Sequence, residues 1–345
     1  IIQKVGIFNE LKKEANLGRA QFIEIEENSV GLPGFIDPHT HICFAGSRAN
    51  DYAKRISGKT YLEIAKEGGG IWQTVQNTRE ADADDLYKET LKRAKLHLKS
   101  GVTSAEVKSG YGLNYKGEMK MLDTIKKVDE NSQIDLISTC LAAHIVPRDF
   151  KGTSREYLDF ILNNLLPQIK KNKLSKRVDI FIEEGAFDDS ESIPFLKKAK
   201  ILGFDITIHG DQFTPTGSKV AIETGAISVD HLESSTDKEI QALANSNVIA
   251  TVLPGASLGL GMPFAPARKL LDAGNSVAIG SDWNPGSAPM GNLLVQASLM
   301  SASEKLNNAE TFAGITIRAV KALNLHDRGK LLKGMLADIV AFPCA

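Results

Sequence analysis

The sequence predicts an α/β protein whose body is a closed (β/α)₈ barrel of the TIM type. Short β-rich apolar runs alternate with amphipathic helical stretches from about residue 31 onward, which is typical of a parallel sheet covered by helices. There are eight such runs, and eight strands close this kind of barrel. The alternative, an open doubly wound sheet, usually has a glycine-rich phosphate turn after its first strand, whereas the first turn here reads DPHTH.

The predicted strands are apolar on both faces, as expected for strands between a barrel interior and a layer of helices. In chain order they are 32–37, 103–107, 134–142, 178–183, 204–208, 226–230, 248–253 and 276–280. Between them, apolar residues recur with the spacing of a helix. The clearest predicted helices are 84–100, 116–129, 154–172, 190–202, 236–245 and 265–274.

The two ends of the chain fall outside this alternation. The N-terminal end contains two short β-like pieces, QKVGIF and QFIEIEE, and GMLADIVAF near the C-terminus resembles another strand. Because β-rich ends that flank a barrel can pair with each other, we predict a small composite β domain built from both ends.

The resulting domain boundaries place the barrel over residues 31–327 and the small β-rich domain over residues 1–30 and 328–345. The sequence lacks an initiator Met and stops abruptly at AFPCA. We therefore expect the small domain to be incomplete in this chain.

Composition argues against several classes of protein. The 345 residues are 42% hydrophobic and 24% charged, and the formal net charge of -1 gives no basic footprint of a nucleic-acid binder. No apolar run approaches the roughly 18 residues that a membrane span needs. Cys43, Cys140 and Cys344 are far apart and form no CxxC pattern, so a disulfide framework is disfavoured and we expect a cytoplasmic location.

The ends of the predicted strands carry most of the histidines. Functional residues of a (β/α)₈ barrel follow the C-terminal ends of its strands. A single histidine at such an end is usually a hydrogen-bonded structural residue, but the convergence of several is hard to assign to chance. Five of the seven histidines lie at these ends, namely His39, His41, His144, His209 and His231.

His39 and His41 predict a metal site. Residues i and i+2 of an extended segment point to the same side, so both imidazoles can bind one ion. His209 and Asp282, which also follow strands, would complete a set of three histidines and one carboxylate. These ligands suit one divalent zinc or iron ion, which can activate a water molecule for hydrolysis.

The order of motifs PGFIDPHTH, HGD, DHLE and GSDWNPG resembles the amidohydrolase superfamily, whose members are metal-dependent hydrolases on (β/α)₈ barrels. More narrowly, the segments LPGFIDPHTHICFAGSR and GVTSAEVKSGYGL are similar to the imidazolonepropionase family, and this similarity covers roughly residues 31–342. The resemblance implies hydrolysis of 4-imidazolone-5-propanoate to N-formimino-L-glutamate, a step of histidine degradation that uses one zinc or iron ion. It also implies the four metal ligands derived above from the strand ends.

The resemblance further implies which residues contact the substrate. A guanidinium is a natural partner for the propionate, and Arg48 follows the metal-binding pair, although sequence alone would favour a solvated surface arginine. Tyr111 lies between two glycines that let its loop approach a ligand closely. Tyr61 is a weaker candidate, since its segment also fits a plain amphipathic helix. The implied substrate-binding residues are Arg48, Tyr111, His144, Gln212, Asn284, Gly286 and Ser287.

The implied catalytic residues are Asp282, His231 and Gln212. In this superfamily a histidine after the sixth strand commonly orients water or polarises the scissile carbonyl, a role that falls to His231; a structural pair with Glu233 is the alternative. Some family members have HxxE after the fifth strand, with the Glu proposed as a base, but this chain has HGDQ. Because a carboxamide cannot accept a proton at neutral pH, Gln212 is expected only to hold the ring, and Asp282 is the preferred base. We expect Asp211 to point away from the site.

Two other functions fit the same sequence. One is a different amidohydrolase reaction, such as nucleobase deamination, which would release ammonia and needs no partner for a carboxylate. The other is a catalytically idle barrel that binds a metal or ligand, although the intact ligand set argues against it. We expect a small-molecule substrate, no nucleic-acid or membrane partner and, from the resemblance, a homodimer.

Overall fold

A computed structural model of the chain describes residues 1–14, 23–59, 63–64 and 67–343. Its central feature is an eight-stranded parallel sheet in which each strand pairs with its neighbour in the sequence. The strands are β2 Phe35–Asp37, β3 Val102–Lys108, β4 Asp135–Ala143, β5 Arg177–Phe181, β6 Asp205–Gly210, β7 Ser228–His231, β8 Ile249–Val252 and β9 Val277–Ile279.

The barrel closes just beyond the ends of its first and last strands. The His39 carbonyl accepts a hydrogen bond from Asp282 N at 3.0 Å, and the Trp283 carbonyl accepts one from His41 N at 2.9 Å. Closure therefore joins two segments that are far apart in the sequence, and it does so at residues that were predicted to bind the metal. The predicted (β/α)₈ barrel is confirmed.

Helices that alternate with the strands cover the outside of the sheet, and one further helix precedes the barrel and is largely exposed. Within the described residues they are α1 Phe8–Glu14, α2 Ala49–Ile56, α3 Ile71–Glu80, α4 Ala83–Lys99, α5 Tyr115–Glu130, α6 Ser154–Phe160, α7 Leu166–Lys171, α8 Asp189–Ile201, α9 Gly217–Thr224, α10 Asp237–Ala244, α11 Pro254–Leu260, α12 Ala267–Asp272, α13 Leu293–Glu304, α14 Asn308–Gly314 and α15 Ile317–Ala322.

Local sequence explains where several of these helices begin. Thr153, Asp188, Thr236 and Asn307 each cap a helix with a side-chain oxygen and pair with a glutamate three residues later, which satisfies backbone N–H groups at the helix start. No helix among the described residues is long and apolar enough to cross a membrane.

The predicted helix 154–172 is interrupted rather than continuous. A π-helical turn, Ile161–Leu165, separates α6 from α7. Pro167 lies in the first turn of α7, where its missing N–H group costs no helical hydrogen bond. The periodicity of apolar residues does not reveal this break because the buried face is preserved across it.

The first predicted strand, 32–37, is divided between two sheets. Its beginning belongs to β1, Ser29–Pro33, which pairs antiparallel with β10, Ile339–Pro343. The barrel strand β2 starts only at Phe35. Between them, Gly34 packs so tightly against Thr103 that a Cβ atom there would overlap its side chain. A small two-stranded sheet from both chain ends is thus present. Its N-terminal strand, β1, begins at Ser29, after the two pieces that the sequence predicted to be β-like.

The two β-like pieces predicted before residue 28 are wrong where the structure describes them. Residues 1–7 form no strand and lead into α1, and residues 23–26 form no strand either. Ile2 joins this region to the C-terminal part: its N–H group donates to the Met335 carbonyl at 2.7 Å, and its carbonyl accepts from Gly334 N at 2.9 Å. The domain boundaries given above remain a prediction.

Candidate active site

Four buried side chains from three parts of the barrel converge on one point. The Nε2 atoms of His39 and His41 are 3.2 Å apart, and the Nε2 atom of His209 lies 3.2 Å from that of His41. The Oδ1 atom of Asp282 lies 3.6 Å from His39 Nε2 and 3.5 Å from His41 Nε2. His39 and His41 follow β2, His209 lies near the C-terminal end of β6 and Asp282 follows β9, as expected for the C-terminal face of a barrel.

This arrangement fits a divalent metal ion. Ligand nitrogens about 2.0–2.1 Å from a tetrahedral ion would lie roughly 3.3–3.4 Å from one another, close to the spacing seen here. Burial lowers the pKa of His209 to about 3 and lowers the pKa values of His39 and His41 well below their usual range. The imidazoles are therefore neutral at pH 7, with ring nitrogens available to a cation. The site can hold a metal.

Buried carboxylates orient two of these histidines from behind. The Nδ1 atom of His39 lies 2.7 Å from Oδ2 of Asp230, and Nδ1 of His209 lies 2.9 Å from Oδ2 of Asp179. A proton held on Nδ1 leaves the Nε2 lone pair free for an ion. Sequence reasoning missed both carboxylates, although an aspartate inside an otherwise apolar strand was a usable signal.

A buried lysine links these carboxylates beneath the site. The Lys108 ammonium lies 2.6 Å from Glu106 Oε2, 2.7 Å from Asp179 Oδ2 and 3.6 Å from Asp230 Oδ2. Burial opposes its charge, but the three carboxylates outweigh this and raise the pKa of Lys108. Lys108 therefore offsets the negative charge of groups that hold the histidines in place.

Asp282 divides its two oxygens between different partners. Oδ1 faces the histidines, while Oδ2 accepts hydrogen bonds from Asn284 Nδ2 at 2.9 Å and Ser287 Oγ at 3.3 Å. Burial raises the pKa of Asp282 to about 6. The chain conformation that presents Asp282 is left-handed, with φ of 51°, and such strain in a residue other than glycine is characteristic of functional sites.

His231 lies beside the same cluster and has the same kind of strained backbone, with φ of 94°. Its ring centroid is 5.3 Å from that of His209, and its Nδ1 atom is 3.4 Å from Glu233 Oε2. Burial would lower the pKa of His231, but the neighbouring Glu233 carboxylate outweighs it and the pKa is raised. His39, His209 and His231 also lie close enough together to share an ion.

A cavity of about 690 Å³ opens above these groups. Six of the seven residues predicted to bind substrate line it, namely Arg48, Tyr111, His144, Gln212, Asn284 and Ser287. The seventh, Gly286, packs beneath the Arg48 guanidinium, where a Cβ atom would overlap it. Tyr61 lies outside the described residues.

Arg48 is a buried residue rather than a solvated surface arginine. Its Nε atom donates to Asp51 Oδ2 at 2.8 Å, and the same oxygen accepts a hydrogen bond from Gly70 N at 2.9 Å. The bond to Asp51 fixes the guanidinium at the cavity wall. Asp51 was not singled out from the sequence, although its position three residues after Arg48 makes the pairing geometrically simple.

His144 presents a defined hydrogen-bonding face to the cavity. Its Nδ1 atom lies 3.0 Å from the Gly110 carbonyl, to which it donates. Burial lowers the pKa of His144 to about 4, so the ring is neutral at pH 7 and its Nε2 atom is a hydrogen-bond acceptor.

Asp211 and Gln212, which follow Gly210, face different surroundings. Gln212 lines the cavity, whereas the Asp211 carboxylate accepts hydrogen bonds from Ser218 N at 3.0 Å and Ser235 Oγ at 2.7 Å. Asp211 therefore supports the loop, in line with the expectation that it points away. Asn284 also supports its own loop, since its Oδ1 atom accepts hydrogen bonds from the backbone N–H groups of Gly286 and Ser287.

Fold and site together define a class of protein, the metal-dependent hydrolases of the amidohydrolase type. The model of the amidohydrolase family matches residues 198–344. Among solved structures, an adenosine deaminase from Xanthomonas campestris with bound zinc has a TM-score of 0.68 and 19% identity, covering 92% of this chain and 72% of that one. At this identity the likeness concerns the fold alone.

Sequence relatives narrow the class to one family. The imidazolonepropionase of Bacillus cytotoxicus is 42% identical over 343 residues, which cover 99% of this chain and 80% of the relative. The imidazolonepropionase of Bacillus cereus is 44% identical over 315 residues, which cover 89% and 73%. The chain belongs to the imidazolonepropionase family.

Proposed function

We propose that this chain hydrolyses the cyclic amide of 4-imidazolone-5-propanoate to N-formimino-L-glutamate, a step of histidine degradation. The observation that carries the proposal is the convergence of three neutral imidazoles and Asp282 at the floor of a cavity whose wall holds Arg48. Family membership supplies the substrate, and the site supplies the means of hydrolysis.

We propose one zinc or iron ion as cofactor, held by His39, His41, His209 and Asp282. When bound there, such an ion supplies an activated water and stabilises negative charge on the carbonyl oxygen. Asp230 and Asp179 keep the imidazoles of His39 and His209 in the orientation that binding needs.

The cavity residues bind the substrate at two ends. Arg48, already fixed by Asp51, pairs with the propionate, and the Tyr111 side chain completes that contact. The neutral His144 ring accepts a hydrogen bond from a ring N–H group of the imidazolone through Nε2. Gln212 and the loop that contains Asn284, Gly286 and Ser287 enclose the ring.

Asp282 and His231 handle the proton and the developing charge. Asp282 takes a proton from the attacking water and returns it to the departing ring nitrogen. His231, whose pKa is raised by Glu233 against the effect of burial, donates a hydrogen bond to the carbonyl oxygen as negative charge develops there. Gln212 cannot take a proton and only positions the ring.

The buried Arg48 also separates this proposal from nucleobase deamination. A guanidinium held inside the cavity by Asp51 matches a carboxylate, which a nucleobase lacks.

We also propose that the protein is cytoplasmic, because its cysteines are scattered, and that it is a homodimer, because of the resemblance. Light scattering would measure the mass of the assembly.

The test is the identity of the product. Freshly prepared imidazolonepropanoate is incubated with the purified chain, and N-formimino-L-glutamate is identified by mass spectrometry and NMR, with and without a metal chelator. Formation of this product, abolished by the chelator, is the expected result. Release of ammonia from nucleobases without hydrolysis of imidazolonepropanoate would refute the proposal.

A further inference from the structure

Glu118 is a fully buried carboxylate outside the reacting centre. It lies in the first turn of α5, one residue after Gly117, whose N–H group donates to the helix cap Asn114 at 2.7 Å. Its oxygens face the loop 109–113, which carries Tyr111 into the cavity. A carboxylate without solvent exposure needs hydrogen-bond donors to offset its lost hydration.

The backbone of the loop supplies these donors. The Oε1 atom of Glu118 accepts from Leu113 N at 2.8 Å, from Gly112 N at 2.9 Å and from Gly110 N at 3.2 Å, and Oε2 lies 3.2 Å from Gly110 N as well. Burial raises the pKa of Glu118, while hydrogen bonds from Ser109 and from the loop amides act against that rise. One side chain thus satisfies three backbone N–H groups within four residues.

The conformation held in this way is one that the loop would not adopt by default. Gly110 has φ of 97° and Leu113 has φ of 50°, both left-handed. Gly112 touches the backbone of Gly117 so closely that a Cβ atom there would overlap it. Gly110 adopts this conformation without strain, whereas strain at Leu113 persists only where surrounding contacts outweigh it, and the hydrogen bond from Leu113 N to Glu118 is one such contact.

The same loop reaches the substrate side of the cavity. The Gly110 carbonyl accepts the hydrogen bond from His144 Nδ1 at 3.0 Å. The Tyr111 ring centroid lies 5.6 Å from that of His144. On the outer side, the Gly112 carbonyl accepts a hydrogen bond from Arg79 Nε at 2.6 Å. The loop is therefore held by an anion at its N–H groups and by a cation at a carbonyl.

We propose that Glu118 is a positioning residue for substrate recognition, which acts through the loop 109–113 to set Tyr111 and His144 against the substrate. The inference rests on the proposed function and deepens it, because it adds a buried residue behind the cavity wall to those on which substrate binding depends. The hydrogen bonds of Glu118 go to the loop and not to the four proposed metal ligands, so its effect should fall on substrate binding rather than on metal content.

The test compares Glu118→Gln with Glu130→Gln. The first variant keeps the size of the side chain but places an amide donor where loop N–H groups point; the second removes the same charge from the exposed end of the same helix. We expect Glu118→Gln to raise KM roughly tenfold, because the loop 109–113 is no longer held in the conformation that binds the substrate. The change in kcat should be smaller, and the metal content should equal that of the wild type. Amide hydrogen exchange of the peptide containing residues 109–113 should become faster. Glu130→Gln should leave all four quantities unchanged.

Three results would overturn the inference. These are an unchanged KM in Glu118→Gln, an unchanged exchange rate of the loop, or a loss of kcat and bound metal with KM constant. Should Glu118→Gln fail to fold, Arg79→Gln loosens the loop from its outer side, and an unaltered KM there would also refute it. A wild-type chain that does not hydrolyse imidazolonepropanoate refutes the proposed function instead, which separates the two failures.

Discussion

The Nδ1 atom of His39 lies 2.7 Å from the Oδ2 atom of Asp230, and both side chains are buried. Asp230 directly precedes His231 on the strand β7, so the strand that presents one histidine to the cavity also orients another across the barrel. The Lys108 ammonium, 3.6 Å from the same carboxylate oxygen, offsets its charge. The orientation of His39 therefore depends on a strand far from it in sequence.

Replacing Asp230 should weaken metal binding before it affects the fold. In Asp230→Asn the amide is a poorer acceptor for the His39 Nδ1 proton, so we expect the affinity for zinc to fall by roughly 10–100-fold. Competition with a chromogenic chelator measures this affinity. The matched control is Asp84→Asn, on the exposed face of α4. An affinity equal to that of the wild type would show that Asp230 does not support the site.

Asp282→Asn tests the proposed base. The amide cannot accept the proton of the attacking water, so we expect kcat to fall by roughly 10²–10⁴-fold with the far-UV circular dichroism spectrum unchanged. Bound metal is measured in the same samples, because Oδ1 of Asp282 also faces His39 and His41. A variant that retains most of its turnover would assign the base to another residue.

Gln212→Glu tests whether an acid at position 212 is tolerated. Since Gln212 is proposed only to hold the ring, the variant should retain its metal and keep kcat within about tenfold of the wild type, with a changed pH profile of kcat/KM. The measurement is a rate profile between acidic and mildly alkaline pH. A variant without activity but with normal metal content would show that the amide donor is essential.

His97 should make the free energy of unfolding decrease measurably at acidic pH. Burial lowers its pKa from 6.5 to about 4, so below pH 6.5 the unfolded chain binds a proton that the folded chain does not. Its contribution to stability is thus present above pH 6.5 and is lost as pH falls toward 4, by up to about 1.4 kcal/mol per pH unit.

The neighbouring Asp37 has the opposite effect. Burial raises its pKa to about 7, so its protonation in the folded state adds stability as pH falls below that value. The comparison of wild type with His97→Gln removes the titration of the histidine while Asp37 stays in both chains. Urea unfolding at several pH values should show a weaker loss of stability with acid in the variant. Equal slopes would contradict the assigned protonation state.

The sequence was sufficient to predict the barrel because each strand is a local apolar run and each proposed ligand follows one. It was also sufficient to predict that His39 and His41 point to the same side, because their spacing makes this a local property. The break at Gly34 was not predictable from periodicity, since β1 and β2 form one continuous β-rich run in the sequence and the division depends on the distant partner β10.

The supporting residues were harder to predict for a related reason. These residues act on partners far away in the sequence, as do Asp179 and Asp230, or on a neighbouring loop, as does Glu118. Nothing in the local sequence pattern indicates which partner each one has. Lys108 was visible at the end of a strand, but its three carboxylate partners come together only when the barrel closes.

The central claim is that His39, His41, His209 and Asp282 hold one ion on which hydrolysis depends. The most direct measurement strips the chain with a chelator and follows its rate of imidazolonepropanoate hydrolysis while zinc or ferrous iron is added back stepwise. The account predicts negligible activity after stripping and a linear recovery that ends at one equivalent per chain. Full activity in the stripped chain, or a recovery that continues to two equivalents, would contradict it.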